Sequence, residues 1–360
     1  MAEQGVPGIP DIPGLARWLA ACGVPAGSGL PGVELIAGGR SNLTYRLRFP
    51  PGPGQDTPVR LVLRRPPLGH VLPTAHDMSR EYRVISALHG SAVPVARPVV
   101  LCEDPEVIGA PFYVMEYVDG LVLRSREDAR VITPGQAGDI SRRFIEMMAA
   151  IHGLDYERAG LAGFGRPAGY LARQLSRWQK QWELSATREM PGYGELVARL
   201  AQGLPGEDGG PGPAGTLVHG DFRLDNMLIR LDPEARITAV VDWEMSTLGD
   251  PLADLGLTLV YWADPGEEDL LAYTSGRSVT TTPGFFTRDG LAAAYAELTG
   301  RDVSRIGYYM AFGCFKLAVV LEGIHARFLQ GKTLGEGFEK EGIAVPALIE
   351  RAHQMLDAAG

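Results

Sequence analysis

The chain has 360 residues, 45% of them hydrophobic and 21% charged, with a mean hydropathy near zero, which is the composition of a globular protein of two domains or two lobes. A formal net charge of −9 argues against a nucleic-acid surface, leaving room only for a local basic pocket, and no apolar run reads as long enough to span a bilayer. The N-terminus "MAEQGVPGIPDIPG" lacks the basic and apolar regions of a secretory signal, and the scattered Cys22, Cys102 and Cys314 read as reduced packing residues of a cytoplasmic protein, without a disulfide or zinc framework.

In chain order, the first part is strand-rich. "VELIAGG" (33–39), "SNLTYRLRF" (41–49) and "VRLVLRR" (59–65) carry β-branched and apolar residues with partial alternation, and "PPGPGQDTP" (50–58) is the turn between the second and third. A helix is expected next, capped by Thr74 with Asp77 three residues on, ended by Gly90, with Met78, Tyr82, Ile85 and Leu88 at helical spacing. Strands near 97–102 and 111–117 complete a small sheet. From about residue 120 the pattern turns helical. Thr133 and Pro134 start a helix that Gly153 ends, and further helical patterns occupy roughly 167–185, 190–202, 287–299, 302–331 and 336–357. Residues 203–215, "GLPGEDGGPGPAG", form a Pro/Gly-rich loop.

The chemistry concentrates after that loop. In "LVHGDFRLDNMLI" (217–229), Asp221 and Asn226 interrupt two apolar, strand-like runs, and in "ARITAVVDWEMSTLGDPLADLG" (235–256) a strand over 237–241 delivers Asp242. Alone, Asp221 or Asn226 reads as a turn residue. Together with Asp242 they form the oxygen set that phosphoryl transfer needs: a carboxylate to take a hydroxyl proton, and a carboxylate with a neutral oxygen for Mg2+. His219 reads as a brace of its loop, and "GDPLADLG", which carries Asp250 and Asp254, reads as a segment that caps a helix and braces the loop. Glu244 is balanced between orienting substrate or Mg2+ and an ordinary role. The remaining histidines do not cluster at zinc-ligand spacing.

"HGDFRLDN" with "VVDWE" and "GDPLADL" resembles the aminoglycoside phosphotransferase and choline-kinase branch of the protein-kinase-like fold. "LRRPPLGHVLPTAHDMSREY" and "HGDFRLDNMLI…VVDWEMSTLGDPLADL" are similar in wording to the kinase-like domain that is fused to acyl-CoA dehydrogenases in animals and stands alone in bacteria. The resemblance implies an α+β, bilobal fold. A small antiparallel-sheet N-lobe over residues 1–118 would bind nucleotide, a hinge would lie near 115–119, and a mainly helical C-lobe over 119–360 would carry catalysis and the acceptor. It implies ATP and Mg2+ as cofactors, Asp221 as the catalytic base or hydroxyl-orienting carboxylate, and Asn226 and Asp242 as metal ligands. Arg64 would meet the α- and β-phosphates with Glu81 as its ion-pair partner. Ser41, Asn42 and Thr44 would lie in the loop that covers the phosphates with N–H groups. The backbone of Glu116 and Val118 would hold adenine, with Met115 at the back of that pocket. Where the general kinase pattern has Lys, this chain has Arg64, whose permanent charge and bidentate fork suit phosphate; alternation turns Arg65 to the other face.

The HRD, DFG and APE motifs of protein kinases are missing, so the acceptor is a small molecule with a hydroxyl, with neither nucleic acid nor membrane as partner. Arg173, Arg177 and Lys180 form a basic stripe on one helix. As a solvated face it needs no function; lining the cleft, it suits an anionic acceptor such as a hydroxyacyl-CoA, whereas an aminoglycoside wants an acidic pocket. An ATP-binding pseudokinase is the rival from another class, against which the complete Asp221, Asn226 and Asp242 set counts. A metal phosphoesterase built on His219, Asp221 and Asp242 leaves "MEYVDG" without a role.

Overall fold

The computed structural model describes residues 5–24, 29–36, 42–68 apart from Pro53 and Gln55, 77–205, 215–267 apart from Pro233, 279–331 and 342–358. The chain is an α+β protein that divides into two compact units, Met1–Asp119 with Ala239–Glu244, and Gly120–Thr238 with Met245–Gly360.

Unit 1 is built on a five-stranded antiparallel sheet, β1 (Gly32–Leu35), β2 (Leu43–Phe49), β3 (Val59–Arg65), β4 (Pro98–Cys102) and β5 (Phe112–Glu116), in the order β1-β2-β3-β5-β4. Period-2 alternation sends Leu61 and Leu63 of β3 into a core with Tyr45, Leu47, Phe49, Phe112 and Val114. Helix α1 (Ile12–Ala21) covers that face through Ile12, Leu15 and Leu19. The sequence reading has no helix here. Asp11 caps it by accepting from Gly14 N at 2.8 Å, and Pro13 occupies the first turn, where no N–H is needed. Helix α2 (Met78–Leu88) packs on β4 and β5. Its cap is Asp77, which accepts from the N–H groups of Ser79 and Arg80, both at 3.0 Å; Thr74, the expected cap, lies outside the described residues.

Unit 2 is mainly helical: α3 (Pro134–His152), α4 (Tyr170–Ser185), α5 (Tyr193–Gln202), α6 (Pro251–Tyr261), α7 (Arg288–Thr299), α8 (Ile306–Leu329) and α9 (Ala344–Ala358). The α3 start is the expected one, a capping box between Thr133 and Gln136. Helix α8 packs against α4, α6 and α9. By length and composition it could cross a membrane, contrary to the reading of the sequence, but 72% of that apolar window is buried inside the protein. Two short strands, β6 (Thr216–Val218) and β9 (Thr247–Gly249), pair antiparallel, and β7 (Met227–Arg230) pairs with β8 (Arg236–Val240). Cys102 and Cys314 are buried packing residues, whereas Cys22 is exposed; all three are free thiols.

Candidate active site

Unit 1 gathers one set of charges around Arg64. On β3, Arg64 alternates with the core residues Leu63 and Arg65 and so projects from the opposite face. Its Nε lies 3.1 Å from Glu81 Oε2, and its Nη2 contacts Asp242 and lies 3.6 Å from Glu244 Oε2. Glu81 comes from α2, where it is 2% exposed. Burial raises its carboxyl above the ordinary value, against the pull of Arg64, and the Tyr113 hydroxyl donates to it. Burial also opposes the charge on Arg64, but Glu81 and Asp242 outweigh it and hold the guanidinium well above its usual value. The Nε–Glu81 approach is a close ion pair without hydrogen-bond alignment, so its strength is Coulombic.

Asp242 lies two residues beyond β8 and, among the described residues, is the only non-glycine with positive φ, 69°. Asp tolerates this left-handed conformation better than most residues. The side chain of Asn42, at the start of β2, donates to Glu244 Oε2 at 2.8 Å. Glu244 therefore joins Asn42 to the Arg64 group, a bracing role that its sequence position did not disclose. Thr44 faces Arg64 in the β2–β3 register; Ser41 lies outside the described residues. Arg65 is on the other face, as alternation requires, donating to the carbonyls of Gly8 and Ile108. At the end of β5, Met115, Glu116 and Val118 are half-buried. Glu116 N–H is taken by Arg97 O at 2.9 Å, so an adenine contact by Glu116 falls to its carbonyl.

Unit 2 holds Asp221 in a loop whose backbone is tied down at nearly every polar atom. Asp254 of α6, 4% exposed, accepts from His219 N at 2.7 Å and from Gly220 N at 2.8 Å. His152 of α3 approaches the same carboxylate at 3.3 Å through Nε2, and its Nδ1 lies 2.7 Å from the Tyr295 hydroxyl. Burial alone would raise the Asp254 carboxyl; hydrogen bonding and charge from His152 and His219 outweigh it and hold it below its ordinary value. Further along, Asp221 N donates to His219 Nδ1 at 3.3 Å, and Thr258 Oγ1 donates to Phe222 O at 2.8 Å. Gly220 adopts φ +83°, and a Cβ there would lie 2.5 Å from Met245 O, so glycine is required twice over. Asp250 caps α6 by accepting from Leu252 N. The bracing roles read from the sequence for His219, Asp250 and Asp254 are thus what the geometry shows.

Asn226 closes the 3-10 turn Leu224–Asn226 and donates through Nδ2 to Asp221 O at 2.9 Å and Asp221 Oδ2 at 3.3 Å. That orientation leaves its Oδ1 as the acceptor for a cation. Among the described residues no group of three or more His, Cys, Asp or Glu side chains could hold a metal ion. Asn226 in unit 2 and Asp242 in unit 1 each carry a hard oxygen of the kind Mg2+ prefers.

Two cations of unit 2 escaped the sequence reading. Arg223 pairs with Asp225 and lies 4.9 Å from the centre of the Tyr261 ring; burial works against its charge, and Asp221 and Asp225 more than restore it. Lys316 of α8 donates to Gly220 O at 2.8 Å. By contrast, Arg173, Arg177 and Lys180 are all exposed. Helix α4 turns Leu171, Leu175, Trp178 and Trp182 inward, and Arg173 is spent on the carbonyls of Arg166 and Ala168. Of the two readings of the stripe, this exposure favours the solvated face, while Arg177 still acts on Lys316 and Tyr170.

Fold and residues together define a phosphotransferase of the protein-kinase-like class that acts on hydroxyl groups. The chain belongs to the phosphotransferase enzyme family, whose profile matches residues 32–291. It is 34% identical over 354 residues to acyl-CoA dehydrogenase family member 11 of Gallus gallus, a match that covers 96% of this chain and 43% of that protein; the chain thus spans less than half the length of that relative. Among solved structures it resembles a Ralstonia eutropha protein provisionally named an aminoglycoside phosphotransferase, at 33% identity and a TM-score of 0.78, covering 97% of this chain and 98% of that one. It shares its fold, at 14% identity and a TM-score of 0.57, with aminoglycoside phosphotransferase APH(4)-Ia in a ternary complex with ADP and hygromycin B, over 95% and 97% of the two chains.

Proposed function

We propose that the protein is an ATP-dependent, Mg2+-requiring small-molecule kinase that transfers the γ-phosphate to an acceptor hydroxyl, and that the acceptor is anionic or acyl-linked, such as a hydroxyacyl-CoA. The observation that carries the reading is the braced loop His219–Asn226. It holds one carboxylate, Asp221, beside a carboxamide whose nitrogen is engaged by Asp221, which leaves the oxygen as the group that would meet a cation. Asp221 orients the hydroxyl and takes its proton as the phosphoryl group is transferred. Asn226 and Asp242 are the residues that would each supply an oxygen to Mg2+, and the ion would neutralise phosphate charge when bound. Arg64, fixed by Glu81, serves the α- and β-phosphates, and the carbonyl of Glu116 with the backbone of Val118 serves adenine beside Met115. Asn42 and Thr44, at the start of β2, would meet the phosphates. The ADP complex of the APH(4)-Ia structure supports nucleotide use, and the name of the Gallus gallus relative supports an acyl-CoA-linked acceptor.

The test is ADP formation by the purified chain with Mg2+ and ATP against a panel of hydroxyacyl-CoAs, free hydroxy acids, choline, ethanolamine and aminoglycosides. Turnover with a hydroxyacyl-CoA or a hydroxy acid is expected. Turnover only with cationic acceptors sinks the acceptor reading, and ATP binding without turnover on any hydroxyl compound leaves a pseudokinase.

A further inference from the structure

A small pocket of about 10 Å3, room for one water-sized atom, opens in unit 2 beside the Asp221 loop, lined by Tyr170, Gln174 and Trp178 of α4, Gly220, Asp254 of α6 and Lys316 of α8. Its polar groups are the Lys316 ammonium, the Trp178 indole N–H, the Asp254 carboxylate, the Gln174 carboxamide and the Tyr170 hydroxyl. Asp254 keeps its charge, but its oxygens are taken by the N–H groups of His219 and Gly220 and by His152. Lys316 has three N–H donors and, among the described residues, a single hydrogen bond, to Gly220 O at 2.8 Å. Its ammonium lies 5.7 Å from the centre of the Trp178 ring. Trp178, 7% exposed, buries its indole Nε1–H with no hydrogen-bond partner, an arrangement that costs stability unless a ligand oxygen or water satisfies it. Gly220 is one residue, about 3.8 Å of backbone, from Asp221. Burial pushes the Lys316 ammonium below its ordinary value, against the pull of Asp221 and Asp254, so an incoming negative oxygen stabilises the charged form.

We propose that Lys316 and the Trp178 indole N–H form the acceptor-recognition site. On this assignment they bind an acyl oxygen, the carboxylate of a hydroxy acid or the carbonyl of its thioester, so that the hydroxyl of the same molecule reaches Asp221. The site therefore selects hydroxyacyl compounds and repels polycationic acceptors, because an ammonium would meet a cation and two kinds of N–H donor with no free carboxylate among the pocket residues. The inference rests on the kinase reading above and names what sets its acceptor specificity. Lys316 also holds the Gly220 carbonyl, so the test must separate recognition from loop support.

Wild type, Lys316→Met, Lys316→Arg and Trp178→Phe are compared by ADP release with four acceptors: a hydroxy acid, its CoA thioester, an alcohol of equal chain length without the acyl group, and an aminoglycoside. Loss of a charge-assisted contact is expected to raise the KM of Lys316→Met for the acid or the thioester at least about 10-fold, with the KM for ATP unchanged. Lys316→Arg recovers part of the loss, and Trp178→Phe, which deletes the N–H together with the pyrrole ring, raises the same KM several-fold. The acyl-free alcohol is handled alike by wild type and Lys316→Met. Whichever of acid and thioester shows the lower wild-type KM identifies the source of the oxygen. An unchanged acyl-acceptor KM in both Lys316→Met and Trp178→Phe overturns this inference alone, as does an equal loss on the acyl-free alcohol, which marks Lys316 as a support of the loop. A wild-type protein that phosphorylates no acceptor removes the kinase reading and takes this inference with it.

Discussion

Replacing Asp254 by Asn changes one atom type at the brace of the catalytic loop, and the structure sets the size of the effect. Both carboxylate oxygens are in use: Oδ2 accepts from His219 N at 2.7 Å and Oδ1 from Gly220 N at 2.8 Å. A carboxamide has one oxygen, so whichever way it turns, its NH2 confronts one of these N–H groups. One charge-assisted hydrogen bond is lost, at about 1.5–3 kcal/mol, and one buried N–H is left unsatisfied, at about 1–3 kcal/mol. At 4% exposure no solvent repairs the loss. The sum is roughly 2.5–6 kcal/mol. For a unit of this size that lowers Tm by about 5–24 °C, at about 2–4 °C per kcal/mol. Asp221 follows the braced residues directly, so kcat is expected to fall roughly 100-fold even in the folded fraction, the cost of displacing a reacting group by about 1 Å. Thermal melting by circular dichroism, with single-turnover kinetics well below the melting point, measures both. A variant that melts within about 2 °C of wild type and keeps kcat within twofold refutes the brace.

Asp221→Ala is expected to lower kcat by roughly two to four orders of magnitude with the Kd for ATP nearly intact; a near-normal kcat removes Asp221 from the chemistry. Arg64→Met leaves Glu81 as an uncompensated buried carboxylate and is expected to destabilise unit 1 by about 3–5 kcal/mol, while the Arg64→Met/Glu81→Gln double variant recovers much of that in denaturant unfolding. If the double variant is no more stable than the single, the two residues are not coupled. The Asp254 carboxyl is held below its ordinary value in the folded chain, so its contribution is complete above the unfolded carboxyl pKa of about 3.9 and is lost as pH falls through the lower folded value. The Tm gap between wild type and Asp254→Asn is therefore expected to be constant from about pH 5 upward and to narrow in stronger acid; a gap that widens in acid contradicts the assignment.

What could be read from the sequence follows from what local spacing encodes. Alternation placed β2, β3 and β5, and it separated Arg64 from Arg65 correctly, because a strand has only two faces. The Thr133 capping box and the Asp250 cap are local signals and appeared where the letters put them. Helix α1 was missed because Pro7, Pro10 and Pro13 make its segment look like a linker, although Asp11 and Pro13 are proper start signals and Ile12, Leu15 and Leu19 repeat at helical spacing. The basic stripe was left with two readings for the opposite reason. Helical spacing shows that Arg173, Arg177 and Lys180 share a face, but not whether the rest of the chain covers that face, and Arg173 found its partners among backbone carbonyls that carry no sequence letter.

Lys316 shows the same blind spot and also the signal that exposes it. A single lysine inside "YYMAFGCFKLAVVLEG" is costly to bury, so the fold must supply it with a partner. The partner here is the Gly220 carbonyl, invisible to any search for matched charges. Arg64 is the converse: its three carboxylate neighbours, Glu81, Asp242 and Glu244, lie on separate segments that motif spacing had already marked. A planar guanidinium can present Nε to Glu81 and Nη2 to Asp242 and Glu244 at once, whereas a lysine ammonium is one point and would have to favour one side. Arg at this position therefore ties the α2 carboxylate to the Asp242 turn, and any cation that takes an oxygen from Asp242 must share it with, or win it from, Arg64.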